Sequence, residues 1–368
     1  MNIHIEDYTL GNKVVSLALD EYAYETLKFR GLETIFFNGT EMKFWPEEIL
    51  FSVSEDNREK IMTCENFDVF QLSSDGNLYL YYDNKSTDNA IITTLKCNSN
   101  CIMCPIPENV RKKECSIDEE EILRLIKHFP SDAEHITISG GEPFLIGEKI
   151  FEIFAALKQQ CPCTEILLLT NGRALAFEPY FQKFCETIPC NILVGIPIHG
   201  SDKYKHNMIT RSSGAFEQTF LGIKRLIKEH FLVEIRIVVS KLNMNDIFSI
   251  AQLIIKEFSH VHSVKIMGLE MLGSAFINQN EVWIKYSEAF QCSKEAIKLL
   301  IKNGIDVALY NFPLCAVEKE YHYICCKSIT DYKIRYNIEC DQCRLKDACG
   351  GVFAGTLKMA EKDFKAWR

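Results

Sequence analysis

Cys97, Cys101 and Cys104 stand in the run CNSNCIMC, a C-x3-C-x2-C group. Three thiolates can hold three irons of a [4Fe–4S] cluster and leave the fourth iron open to a small molecule. Zinc is the alternative, but it ordinarily takes a fourth Cys or His close by, and the nearest downstream candidate is Cys115. A second group, Cys340, Cys343 and Cys349 in ECDQCRLKDACGG, has C-x2-C-x5-C spacing, with Cys315 upstream in NFPLC. Four thiolates satisfy a cluster and zinc equally well. Cys325 and Cys326 compete with Cys315 for the fourth place in that set. Cys64, Cys161, Cys163, Cys185, Cys190 and Cys292 share no ligand spacing with either group, and core filling is their default.

These thiols need elements to position them. From residue 90 onward, short β-branched runs alternate with amphipathic stretches, the pattern of βα units around a parallel sheet. Strands are expected at AIITTL from Ala90, HITIS from His135, EILLLT from Glu165, NILVGIP from Asn191, VEIRIVV from Val233 and VKIMG from Val264. Helices are expected over 116–129, 149–160, 179–188, 216–230, 245–258 and 283–303, the first opening on a capping box of Ser116 and Glu119. The fold class is therefore α/β, a partial (β/α)6 TIM-like barrel over residues 89–305. Residues 1–88 read as a small β-rich domain, with hairpin signals at Asn38-Gly39 and Asp75-Gly76. Residues 306–368 lose periodicity after a strand-like VALY and gain cysteines, as a metal-held module would.

In such barrels the reactive groups sit on loops after the strands. The first expected strand leads into Cys97, Cys101 and Cys104, the second into SGGEP (Ser139, Gly140, Gly141, Glu142) and the third into TNG with Asn171. Adjacent glycines let a backbone approach a ligand closely, and Glu142 offers a carboxylate suited to an ammonium group. Either dipeptide alone would read as a plain turn; three motifs on one face would not. His199 follows the fourth strand and serves equally well as a strand-end cap.

Net charge and composition bound the partners. A formal charge of −9 disfavours phosphate neutralisation as the main task, so a nucleic-acid substrate is not expected. The start MNIHIEDYTLGNK shows no signal-peptide pattern and no apolar run reaches membrane-spanning length, so a cytoplasmic protein is expected. Sixteen cysteines are then read in a reducing compartment, where clustered thiols more often bind metal than form disulfides.

From Ala90 to Gly268 the chain resembles the radical S-adenosylmethionine (SAM) superfamily. The resemblance implies that Cys97, Cys101 and Cys104 carry a [4Fe–4S] cluster completed by SAM. Ser139, Gly140, Gly141 and Glu142 would hold the methionine amino group, with Asn171 near the ribose. Arg211 and Ser212 would meet the SAM carboxylate or ribose, and Met267 and Gly268 the adenine. The residue before the third cysteine, often aromatic in this superfamily, is Met103 here. The tail is similar to the auxiliary-cluster modules, SPASM or twitch, of peptide-modifying members, which implies one auxiliary [4Fe–4S] cluster on Cys315, Cys340, Cys343 and Cys349. GGEPFLIG, LLTNGRA, YNFPLC, KSITDYK and CDQCRLKDACGGVFAG together resemble the maturase of the His-Xaa-Ser peptide system. That branch implies a precursor peptide as substrate, an electron donor such as flavodoxin or ferredoxin, a second radical SAM maturase and a small partner protein.

Overall fold

The computed structural model describes residues 2–113 and 118–367. Cys115 and the expected cap residue Ser116 lie outside the described residues.

The leading domain is a mixed sheet of β1 (Asn2–His4), β2 (Lys13–Ala18), β3 (Thr34–Phe37), β4 (Glu41–Trp45), β5 (Ile49–Ser52), β6 (Val69–Leu72) and β7 (Asn77–Tyr82), in the order β1-β7-β6-β2-β3-β4-β5. Both hairpin signals form turns. Asn38 Oδ1 accepts the backbone N–H groups of Thr40 and Glu41, the Asx turn that closes β3 onto β4.

The second sheet is wholly parallel. It holds β8 (Ala90–Ile92), β9 (His135–Ser139), β10 (Glu165–Leu169), β11 (Ile192–Pro197), β12 (Leu232–Val238), β13 (Ser263–Met267), β14 (Asp306–Tyr310) and β15 (Cys325–Cys326), ordered β8 to β15 across the sheet. All six strands expected of the barrel are present. The VALY strand, assigned from sequence to the tail, instead pairs in register with β13, and Cys325–Cys326 adds one edge more. The sheet thus crosses the boundary drawn at 305/306.

Alternation explains how the sheet curls. Ile136, Ile138, Ile166, Leu168, Val194, Ile196, Ile235, Ile237, Val264 and Ile266 point outward and are buried under the helices, each worth roughly 1.5–3 kcal/mol on the usual transfer scale. The opposite face is mixed. His135, Thr137, Glu165, Leu167, Arg236 and Tyr310 look onto an inner space of about 1100 Å³. A parallel sheet packed on both faces would be apolar on both, so these polar residues mark a solvent-filled lumen.

The helix Glu119–His128 lies between the two sheets, capped by Asp118, whose side chain accepts from Glu120 N–H. Its last residue, buried His128, meets Ser16 Oγ of β2 at 2.9 Å, and Gln71 of β6 donates to Glu121. Arg30 closes the junction by donating to the Phe129 carbonyl at 3.1 Å.

The candidate active site and the cysteine centres

The cysteine loop leaves β8 and is bonded backbone to backbone to the loop after β9. Thr93 N–H donates to the Ser139 carbonyl, Gly141 N–H to Thr94 at 2.7 Å and Glu142 N–H to Lys96 at 2.8 Å. This contact requires the two glycines. A Cβ on Gly140, whose φ is +146°, would stand 2.2 Å from the Thr94 oxygen, and one on Gly141 2.1 Å from the Lys96 oxygen. The close approach expected of Gly140 and Gly141 is therefore first an approach to the cysteine loop.

Glu142 has no exposed surface. Its Oε1 accepts from Thr170 Oγ at 2.7 Å and Phe144 N–H at 3.4 Å, and its Oε2 from Asn171 N–H at 2.7 Å. Burial pushes its carboxyl above the ordinary range while those three donors pull it down. The side chain is a strut joining the loops after β9 and β10. Asn171, held by it, donates from Nδ2 to Asn98 Oδ1 at 2.6 Å in the cysteine loop.

Two arginines that the sequence reading did not single out complete the frame. Arg173, the residue after TNG, donates to the Asn98 carbonyl, Ser99 Oγ, Ser212 Oγ and Gln218 Oε1 at 2.6 to 3.0 Å. Buried Arg111 donates to the Ser99 carbonyl, Asn100 Oδ1 and Ser274 Oγ. Position in sequence was the available signal: one closes a loop motif and the other follows the cysteines by a few residues. Ser212 is brought to the cysteine loop, whereas Arg211 caps the helix Lys203–Thr210 in the left-handed region at φ +48° with its side chain exposed.

Cys101 and Cys104 line a cavity of about 250 Å³ at the mouth with Met103, His199, Met267 and Glu270. Burial pushes the Cys101 thiol up to about 12; the Cys104 and Cys97 thiols add to that and Arg111 opposes it. Three thiolates so placed need cations to coexist. His199 is buried, its Nδ1 has no partner among the described residues, and burial with the charge of His206 lowers its pKa to about 3, so it is neutral. Gly268 is explained by packing, since a Cβ there would stand 2.4 Å from the Tyr286 ring; its N–H and carbonyl are engaged by the Tyr310 carbonyl and Asn311 Nδ2. The Met267 carbonyl accepts from Val239 N–H.

In the tail, Cys315, Cys340, Cys343 and Cys349 surround one small cavity of about 20 Å³, walled by Leu314, Tyr336, Phe364 and Trp367. Cys325 and Cys326 do not line it; Cys326 faces the lumen. Backbone N–H groups of Leu314 and Gly351 donate to Cys349 Sγ at 3.3 and 3.4 Å, and that of Trp367 to Cys343 Sγ at 3.4 Å. Amide donors to sulfur are what tune iron–sulfur centres. Among the described residues no group of three or more His, Cys, Asp or Glu is gathered tightly enough for a single metal ion. Both donor sets are all sulfur, the chemistry that an iron–sulfur cluster takes.

Residues 91–254 match the family model of the Radical SAM superfamily, so the chain carries a radical SAM domain, the core of an enzyme family built on a [4Fe–4S] cluster and SAM. The AdoMet-dependent heme synthase of Methanosarcina barkeri (strain Fusaro / DSM 804) is 30% identical over 161 residues, 42% of this chain and 43% of the relative. The chain therefore spans less than half the length of that curated relative. Among solved structures, Streptococcus suis SuiB bound to S-adenosylmethionine is similar with a TM-score of 0.51 and 11% identity, over 62% of this chain and 51% of that one. Native anSMEcpe with bound AdoMet and the Cp18Cys peptide aligns with a TM-score of 0.50 and 15% identity, over 72% and 87%. These likenesses establish the partial-barrel fold. No helix among the described residues is long and apolar enough to cross a membrane.

Proposed function

We propose that the chain is a radical SAM enzyme that modifies a ribosomally made peptide by hydrogen abstraction, with Cys97, Cys101 and Cys104 as ligands of the SAM-binding cluster. When bound, cluster and SAM supply reductive cleavage to methionine and a 5′-deoxyadenosyl radical, which takes a hydrogen atom from the substrate. The chain's own residues orient and enclose. Arg111 and Arg173 fix the cysteine loop; Ser139 and the Gly140–Glu142 segment would hold the methionine end, exposed Arg211 would offer a fork for its carboxylate and Ser212 a hydroxyl. Glu142, oriented by Thr170 and Asn171, would meet the ammonium group, and Asn171 would stand near the ribose. Cys315, Cys340, Cys343 and Cys349 hold one auxiliary [4Fe–4S] cluster that binds the peptide or accepts an electron after hydrogen abstraction.

The observation that carries the reading is a mouth lined by Cys101 and Cys104 together with a barrel lumen of about 1100 Å³, just above the usual size of small-molecule pockets and roomy enough for a peptide segment. SuiB is solved with the precursor peptide SuiA and anSMEcpe with a peptide, which supports a peptide here. The sequence resemblance to the His-Xaa-Ser system supports a precursor with those repeats, an electron donor of the flavodoxin or ferredoxin kind, and assembly with a second maturase and a small partner in the cytoplasm. The test is SAM cleavage by the anaerobic, dithionite-reduced protein. 5′-Deoxyadenosine is expected without peptide, and Cys101→Ala should abolish it together with the iron of that site. A variant that cleaves SAM at the parent rate with iron intact would overturn the assignment.

A further inference from the structure

The inner face of the barrel carries charge that the reading above leaves without a task. Alternation along β12 turns Glu234, Arg236 and Val238 inward, and Arg236 lies across β11 where that strand has Gly195. A Cβ at 195 would stand 3.2 Å from Arg236 Nε and 2.8 Å from a Leu169 methyl, so a glycine there keeps open the bed in which the guanidinium lies. Buried Glu234 accepts from Arg236 Nε at 2.7 Å and fixes the inner edge of the group. The two terminal nitrogens have no protein partner among the described residues. The Tyr310 ring lies 6.0 Å from the guanidinium and 5.9 Å from Lys265 Nζ, its hydroxyl is likewise unpartnered among the described residues, and Lys265 is taken by Asp306 at 3.1 Å. Burial raises the Tyr310 pKa to about 12, so the phenol stays a donor.

A planar fork and a phenol, all donors, face the lumen of about 1100 Å³ together. Their complement is a flat group with two acceptor oxygens. Because Glu234 already balances the arginine charge, a monoanion held by geometry suits the site better than a phosphate dianion. We infer that Arg236 and Tyr310 form a carboxylate-recognition site in the barrel lumen, which grips a carboxylate of the substrate peptide while a neighbouring residue is presented at the mouth. The inference rests on the peptide reading above. Arg236 precedes by two strand residues Val238, which lines the mouth cavity with Cys101 and Cys104, a rise of about 7 Å along β12.

The test uses the anaerobic full-length holoenzyme with SAM to select from a displayed random peptide library in two formats, one ending in a free C-terminus and one with the C-terminus blocked. Enrichment of Asp or Glu at one position in both formats identifies a side-chain carboxylate; enrichment only with the free end identifies the terminal one. For a selected peptide, Arg236→Gln should weaken binding roughly tenfold or more, and Tyr310→Phe by less. Replacing the peptide carboxylate by its amide should weaken binding to the parent enzyme but change little in Arg236→Gln. Equal loss for acid and amide peptides, or selected peptides without a carboxylate, overturns the site. If Arg236→Gln does not fold, as judged by its thermal transition, the same acid-against-amide comparison in Tyr310→Phe decides. Peptide-stimulated SAM cleavage by the parent enzyme is scored separately, and its absence defeats the peptide reading itself rather than the choice of residues.

Discussion

Arg173 binds the carbonyl of Asn98, the hydroxyls of Ser99 and Ser212 and the amide oxygen of Gln218, so one side chain ties the cysteine loop to two others. Hydrogen bonds to a charged donor are worth about 1.5–3 kcal/mol when buried and less at a partly exposed site such as this one. Lysine keeps the charge but has neither the reach nor the fork. Arg173→Lys is therefore expected to fold and to bind its cluster, but to hold it in a looser loop. Iron loss to a chelator, followed by bleaching of the visible absorbance, should be several-fold faster than in the parent. An unchanged rate would mean that Arg111 and the backbone bonds suffice. Glu142 calls for a different substitution. Glu142→Gln would set an amide N–H against either the Phe144 N–H or the Asn171 N–H, and is expected to cost about 1–3 kcal/mol of unfolding free energy, read by denaturant titration.

At the scale of elements, the junction between the leading sheet and the barrel turns on the helix Glu119–His128. Burial first, then the charges of Arg30 and Lys127, lower the His128 pKa to about 4 from 6.5. A depressed folded value means that the unfolded chain takes the proton first. The stability is complete above pH 6.5 and is lost as pH falls from there towards 4, up to about 3 kcal/mol in all. Asp68 in the leading domain runs the other way. Burial raises its pKa to about 6, so its contribution improves as pH falls through 6 towards 3.8. The clean measurement is a comparison. Between pH 7 and 5, unfolding free energy should fall less in His128→Gln than in the parent, and parallel pH profiles would show that His128 is no determinant of the junction.

For the whole molecule, the two sulfur centres stand in different surroundings, one under the barrel mouth and one inside the tail. They should load independently. With Cys340, Cys343 and Cys349 all replaced by alanine, iron and sulfide per chain are expected to fall from about eight of each to about four, with SAM cleavage retained and peptide modification lost. Cys315→Ala is the finer probe, because Cys315 lines the tail cavity while Cys325 and Cys326 do not. If it kept both clusters, Cys325 or Cys326 would supply the fourth ligand. Zinc in place of half the expected iron in the parent protein would turn the tail into a structural module.

Local chemistry carried much of this reading. Thiol spacing in CNSNCIMC, strand periodicity from Ala90 to Met267 and the turn dipeptides Asn38-Gly39 and Asp75-Gly76 are properties of neighbouring residues, and such signals survive in a linear string. The tail strand is the instructive failure. VALY has the composition of a strand, but which sheet it joins depends on a partner some forty residues back, Ser263–Met267, through pairing that no local pattern encodes. The same holds for the neighbours of Glu142, since its carboxylate suggests a ligand contact but does not announce that Thr170 and Asn171 of the next loop donate to it. Arg111, Arg173 and Arg236 look alike in the sequence. Only the fold places two of them against the cysteine loop and the third in the lumen over Gly195, because hydrogen-bond partners and empty space are made by chain segments that meet only when the sheet curls.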